Sequence, residues 1–384
     1  MVTDQKTRRR RRVRGVVLGG VLGLVALCLG ALAVFAAINA RLPQALDEPQ
    51  RFTAEQAALV EEAAHLKRSL GDQVWPGFGQ ARIPLLSWND VYAFVCLHPQ
   101  PPAGWELLEQ VQVGGQPCYR APWADGQNFA VRIGDQWAGS LVSRAWGLIT
   151  LRQQLAELLP APVRPVAPVF LLTNAMLRPY RYVGGQLHES FHAYQAIAMP
   201  QRFADAELAY PAGARYWALD AQMRPAWEAE IDALYAAVAA GEQAQARDLA
   251  RQFLALRGDR RAQSLASQDL VLYEQRLEWL EGMAKYVELH MLRAANAAAA
   301  AGSYQPAAVL ENSSLVDYSA AERFFGQELS QMKRQAGTEG DTRFYYTGLA
   351  QAVLLDRWRA GWQARVGEPG VWIEDLLREA LAEE

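Results

Sequence analysis

The sequence predicts an α+β protein tethered by one N-terminal transmembrane helix, with a β-rich N-terminal lobe and a mostly helical C-terminal lobe. Three observations carry this: an uncharged apolar run near the N-terminus, short alternating runs among Gly, Pro and Trp between residues 80 and 150, and helical periodicity after about residue 180. With 51% hydrophobic and 21% charged residues in 384, the composition is globular, enough for one large or two ordinary domains.

Residues 1–14 form a basic tail in which Lys6, Arg8 to Arg12 and Arg14 stand against one acid, Asp4. Residues 15–40 carry no charge, and as a helix they would extend roughly 39 Å, more than the ~30 Å of a bilayer core. Twenty-six uncharged residues leave no polar face for a soluble amphipathic helix. Ala31-Leu32-Ala33 offers a small-x-small signal-peptidase site, but the apolar run continues past it, which favours an uncleaved anchor. The basic cluster before the span predicts a cytoplasmic N-terminus and an extracytoplasmic remainder, periplasmic in a bacterium. That remainder holds 31 basic and 40 acidic residues, a net charge of −9, which disfavours nucleic-acid binding through a basic surface. The arginine cluster reads as a topology signal or a handle on anionic lipid.

Residues 41–77 read as a polar linker followed by an amphipathic helix, at 52–70, running out from the membrane. The β-rich lobe spans 78–180. Within it "NFAVRI" and "QWAGSLV" flank a Gly-Asp turn and predict a hairpin, and "VAPVFLLT", residues 166–173, reads as the best buried strand. Cys28 falls in the span, which leaves Cys96 and Cys118 as the only pair outside it. In an oxidising compartment they would close a disulfide worth on the order of 3 kcal/mol; the alternative is two reduced thiols. The helical lobe spans 181–384, with a hairpin of 225–240 and 242–257 around Gly241, one long helix or two over 262–300, and helices at 319–334, 343–359 and 371–382.

The chemistry is concentrated in "GGQLHESFHAYQ", residues 184–195, where His188, Glu189 and His192 stand as H-E-x-x-H. With five histidines in the chain, random placement gives this pattern about 0.004 times. Leu187, Phe191, Tyr194 and Ala198 recur at helical spacing, so this is an amphipathic helix with His188, His192 and Gln195 on a neighbouring stripe. Gly184 and Gly185 are expected to mark its start and Pro200 its exit. Two imidazoles four apart on a helix converge on one ion, but a catalytic zinc takes three protein ligands. His65, His98 and His290 lie in no supporting pattern. "YEQRLEWLEGMAKYVE", residues 273–288, instead places Glu274, Glu278 and Glu281 on one face of a helix bordered by Leu277, Trp279, Leu280, Met283 and Tyr286.

H-E-x-x-H followed by E-G-x-A-x-Y resembles the glutamate-liganded zinc metallopeptidases, the gluzincins, which include thermolysin and aminopeptidase N. The resemblance covers about 166–360 and implies a zincin-like active-site helix and one zinc ion held by His188, His192 and Glu281, with Glu278 the competing candidate for third ligand. It implies Glu189 as the general base that takes a proton from the zinc-activated water and later protonates the leaving amine of a peptide or protein substrate. The 88 residues between His192 and Glu281 are more than many members have, and an inserted helical hairpin at 225–257 accounts for them. Several members carry an aspartate four residues after the third ligand to orient a histidine. Here Lys285 stands at that position, so Glu278, Asp269 or another acid is expected in that role. "TRFYYTGLAQAVLLDRW", residues 342–358, resembles the Y-x-x-G-x-A segment of such peptidases and makes Tyr345 or Tyr346 the candidate donor to an oxyanion. The rival readings are a zinc-stapled scaffold without catalysis, against which an intact Glu189 argues, and a zinc hydrolase acting on a bond other than a peptide amide.

Overall fold

The computed structural model describes residues 2–123, 126–265, 267–310, 313–335 and 338–383, with side chains from residue 20 onward. In chain order the elements are α1 (Val2–Asn39), α2 (Ala54–Val74), β1 (Leu85–Trp88), β2 (Tyr92–Cys96), β3 (Glu106–Val113), β4 (Gln116–Pro122), β5 (Phe129–Ile133), β6 (Gln136–Val142), α3 (Arg144–Glu157), α4 (Val169–Met176), α5 (Pro179–Ala198), α6 (Pro200–Glu207), α7 (Gly213–Trp217), α8 (Asp220–Ala239) and α9 (Gln243–Ser264). They continue as α10 (Gln268–Leu277), a π-helical turn at Glu278–Gly282, α11 (Met283–Ala300), a two-strand ribbon of β7 (Val309–Leu310) and β8 (Ser313–Ser314), α12 (Ala321–Gln335), α13 (Thr342–Trp358), α14 (Trp362–Arg365) and α15 (Ile373–Ala382). The class is α+β, with a sheet region followed by a helical one.

Two compact units emerge, the first made of residues 1–48 and 144–178. Here the stretch Gly20–Asn39 of α1 is long and apolar enough to cross a membrane. Asn39 caps the unit's proline-rich turn by donating its amide to the carbonyls of Pro165 (2.8 Å) and Ala167 (2.9 Å), and Phe35 meets Phe170 edge-on at 6.3 Å. Residues 166–173, expected as a buried strand, instead enter α4, whose Leu171 and Leu172 are more than half exposed. Pro168 stands at the start of that helix, and a short apolar run carries no periodicity that separates strand from helix. The β-rich region is correspondingly shorter than 78–180: its strands end at Val142, and residues 144–178 belong with the N-terminal helix.

The second unit, residues 49–143 and 179–384, holds the mixed sheet in the order β3-β4-β2-β1-β6-β5. All pairings are antiparallel except β1 with β6. The β5–β6 hairpin turns at Gly134, where φ is +61° and a glycine is required. Cys96 and Cys118 face each other across β2 and β4 with Cα atoms 4.3 Å apart and form a disulfide. Helix α2 buries the apolar face expected of an amphipathic helix, along Leu59, Val60, Ala63, Leu66 and Leu70. α5 starts at Pro179, five residues before Gly184, because proline's fixed φ suits a first helical turn. Gly184 and Gly185 lie inside the helix, where they admit Leu292 and Leu141. Ala198 ends α5, and Pro200 opens α6.

Two glycine contacts place the helices that matter. A Cβ on Gly139 of β6 would stand 2.6 Å from the Ser190 Cα, so the sheet meets α5 backbone to backbone, and Gln186 donates to the Gly139 carbonyl at 2.9 Å. A Cβ on Gly348 of α13 would stand 2.6 Å from the Glu278 carbonyl and 2.8 Å from Gly282 Cα, which presses α13 onto the π-turn. Gly348→Ala should therefore cost about 1–3 kcal/mol of stability. Gly326→Ala, inside α12 with nothing within 4 Å, should instead gain about 0.4–1 kcal/mol. Urea unfolding of the two variants against the parent checks both signs.

Candidate metal centre

One face of α5 is fixed to the sheet by Gln186 and Ser190, and the opposite face carries His188 and His192. Phe191, fully buried, keys the helix against Trp75 (4.8 Å) and Phe78 (5.4 Å). Across from the histidines stands Glu281 on the π-turn. Its Oε2 lies 3.4 Å from His188 Nε2 and 3.2 Å from His192 Nε2, and all three side chains are buried. Their donor atoms lie within 4.8 Å of one another, a group able to hold a metal ion.

The outer nitrogens decide the chemistry of this point. Gln195 donates its Nε2 to the carbonyls of Trp279 (2.9 Å) and Leu280 (3.2 Å), which fixes its amide so that Oε1 accepts from His192 Nδ1 at 2.9 Å. Glu288 Oε2 accepts from His188 Nδ1 at 3.2 Å. With each Nδ1 bonded outward, each ring in its neutral form turns an Nε2 lone pair inward, toward Glu281 Oε2. The buried group could hold a metal ion, and the donor set of two imidazoles and one carboxylate suits a divalent transition metal. The surrounding carboxylates favour positive charge at this point: burial works to lower the His188 pKa, yet Glu281 and Glu288 override it and hold it up at about 10, so a metal ion binds here in exchange for a proton. Burial likewise works to raise Glu281, and the two histidines hold it well below the usual carboxylate range.

The π-turn explains how Glu281 parts company with its neighbours. The three glutamates expected on one face serve two separate structures. Glu274 binds Arg260 and Arg261, and Glu278 binds Arg257 at 2.6 Å and Gln351 at 3.0 Å, all inside a buried ion-pair network from α8, α9 and α15. The wide turn then rotates Glu281 toward α5 and presents the carbonyls that receive Gln195. Glu278 is thus no metal-site neighbour, and Asp269 pairs with Arg215. Neither orients a histidine; Glu288 and Gln195 do. Lys285, which occupies the position expected for an orienting acid, supports this function indirectly by bonding Glu288 at 2.9 Å and Glu328 at 2.7 Å. Glu288 lies seven residues, two helical turns, past Glu281, a spacing that marks it in retrospect. Glu288→Ala should weaken metal binding about 10–100-fold without abolishing it, as competition against a chromogenic chelator will report.

Glu189, between the two histidines, is buried, and burial pushes its pKa up to about 7 while His188 and His192 pull it back. Of the two tyrosines, Tyr345 stacks on the His188 ring at 5.5 Å, and burial holds its hydroxyl well above the usual tyrosine range. Tyr346 points away, to Glu328 at 3.3 Å. Tyr210, not apparent from the sequence, donates to Glu281 Oε1 at 3.2 Å. His65 stacks on Tyr304, His98 bonds the Ile133 carbonyl and His290 stacks on Tyr286, so none joins the centre. Comparison with protein-family models, curated proteins and solved structures returns no match.

Proposed function

We propose that the chain is a membrane-anchored zinc-dependent metallopeptidase, its N-terminus cytoplasmic and its second unit extracytoplasmic. The carrying observation is the buried Glu281 Oε2 lying 3.4 Å and 3.2 Å from the Nε2 atoms of His188 and His192, with a buried carboxylate, Glu189, on the intervening turn. His188, His192 and Glu281 would hold the ion. When bound, zinc supplies Lewis acidity, polarising a substrate carbonyl and lowering the pKa of a water toward ~7. Glu189 then works as a proton carrier, accepting from the attacking water and delivering to the leaving amine, a role suited to a carboxyl held at about 7. The Tyr345 hydroxyl is the donor available to a developing oxyanion, and burial together with Glu281 holds it protonated.

A peptide substrate is favoured by β5. It is the terminal strand of the sheet, and its Phe129 ring lies 4.6 Å from the His192 ring. A terminal strand beside the centre offers main-chain hydrogen bonds to an extended chain. The test is metal analysis of the purified full-length chain together with cleavage of an unstructured protein, with and without a chelator. One zinc per chain and chelator-sensitive cleavage are expected. One zinc with no cleavage of any unstructured substrate would replace this reading by the scaffold one.

A further inference from the structure

Outside α1, eleven large apolar side chains are markedly exposed among the described residues, and five of them crowd into nineteen positions: Leu158, Val163, Leu171, Leu172 and Met176. The last three lie on α4, whose other face is occupied, with Thr173 buried and Phe170 against Phe35 of α1. Phe35 is four residues from the end of the apolar stretch Gly20–Asn39, and the Asn39 amide ties that end of α1 to the turn leading into α4. The exposed face of α4 therefore continues the apolar surface of α1 at the end of the span.

Charge points the same way. Residues 144–178 carry Arg144, Arg152, Arg164 and Arg178 against a single acid, Glu157, within an exported part that is otherwise strongly acidic. Arg152 bonds the Pro43 carbonyl, four residues past Asn39, and Arg164, five residues before α4, bonds those of Leu159 and Glu157. An apolar helix face rimmed by arginine is the composition of a segment lying in a lipid–water interface.

We infer that residues 158–176 form an interfacial wedge, with the Leu171, Leu172 and Met176 face of α4 in the acyl chains beside the Asn39 end of α1 and the arginines at the headgroups. The occupant of this face is lipid, preferably anionic, and the inference rests on α1 spanning the bilayer. The unit would then hold the membrane by two contacts rather than one, which restricts rotation about the span.

Full-length protein with Cys28→Ser and one new cysteine, Leu172→Cys, Val25→Cys or Leu208→Cys, would carry an environment-sensitive fluorophore. It would be reconstituted at one copy per nanodisc, in lipids with or without bromine on the acyl chains. The label at 25 reports the span and the label at 208 reports exposed protein outside this unit. Brominated lipid should quench the labels at 25 and 172 about twofold or more and leave 208 unchanged, and phosphatidylglycerol should strengthen quenching at 172 over phosphatidylcholine alone. Quenching at 25 with none at 172 overturns the wedge and leaves the span standing. A label at 172 shielded from water yet unquenched means that protein covers the face, which equally overturns it. No quenching at 25 removes the span and the wedge together.

Discussion

Glu189→Gln should leave metal stoichiometry at the parent's value and lower kcat about 10²–10⁴-fold. Glutamine matches glutamate in size, so the packing of α5 against the sheet and the ligand positions of His188 and His192 are undisturbed; what disappears is the ability to accept a proton. The pH profile separates this from a packing defect. Burial raises Glu189 to about 7, and His188 and His192 oppose that rise. A bound cation acts in the same downward direction as the histidines, so the acid limb of the parent profile belongs at or below about 7. A base works only when ionised, so activity falls as pH drops through that limb and is retained above it. The Gln variant should lose the limb along with the rate. Parent-like turnover in a variant with one metal bound would sink the assignment of Glu189 as base.

Much of this centre was legible because helical spacing alone specifies it. His188, Glu189 and His192 need only the local geometry of α5, and Glu281 announced itself through E-G-x-A-x-Y. The structure gives a packing reason for the glycines in those motifs. Gly282 and Gly348 touch backbone to backbone, and that closeness brings Tyr345 to His188 and Glu281. The orienting partners were not legible, since Glu288 and Gln195 become second neighbours only after the π-turn has redirected its carbonyls, and a π-turn has no periodicity of its own to read. The shared face expected for Glu274, Glu278 and Glu281 failed for the same reason, compounded by the arginines of α9 that claim the first two. Helix α4 differs from the expected strand because an eight-residue apolar run signals burial, whereas Leu171, Leu172 and Met176 are exposed, in the same unit as a helix long and apolar enough to cross a membrane.

Glu281→Ala should abolish stoichiometric metal binding, and the comparison with Glu278→Gln makes the result specific. In the alanine variant His188 and His192 keep their outward bonds to Glu288 and Gln195, so the two imidazoles remain in place with no third ligand, and two neutral nitrogens do not retain a catalytic ion through desalting. Tyr210 loses its acceptor as well, a smaller loss because its hydroxyl is the exposed partner of that bond. Glu278→Gln should do the reverse. It leaves the metal ligands intact but removes one of three carboxylates around the fully buried Arg257, a loss smaller than the about 3–5 kcal/mol of a buried pair broken outright because Glu230 and Glu374 remain. Thermal melts with added zinc read both effects on one axis. Ligand at a thousandfold excess over its Kd stabilises the folded state by about 4.1 kcal/mol, so the parent and Glu278→Gln should each rise in Tm with zinc, the latter from a lower start, while Glu281→Ala stays flat. A zinc-dependent rise retained in Glu281→Ala and lost in Glu278→Gln would transfer the third ligand to Glu278 and require the π-turn to rearrange on binding.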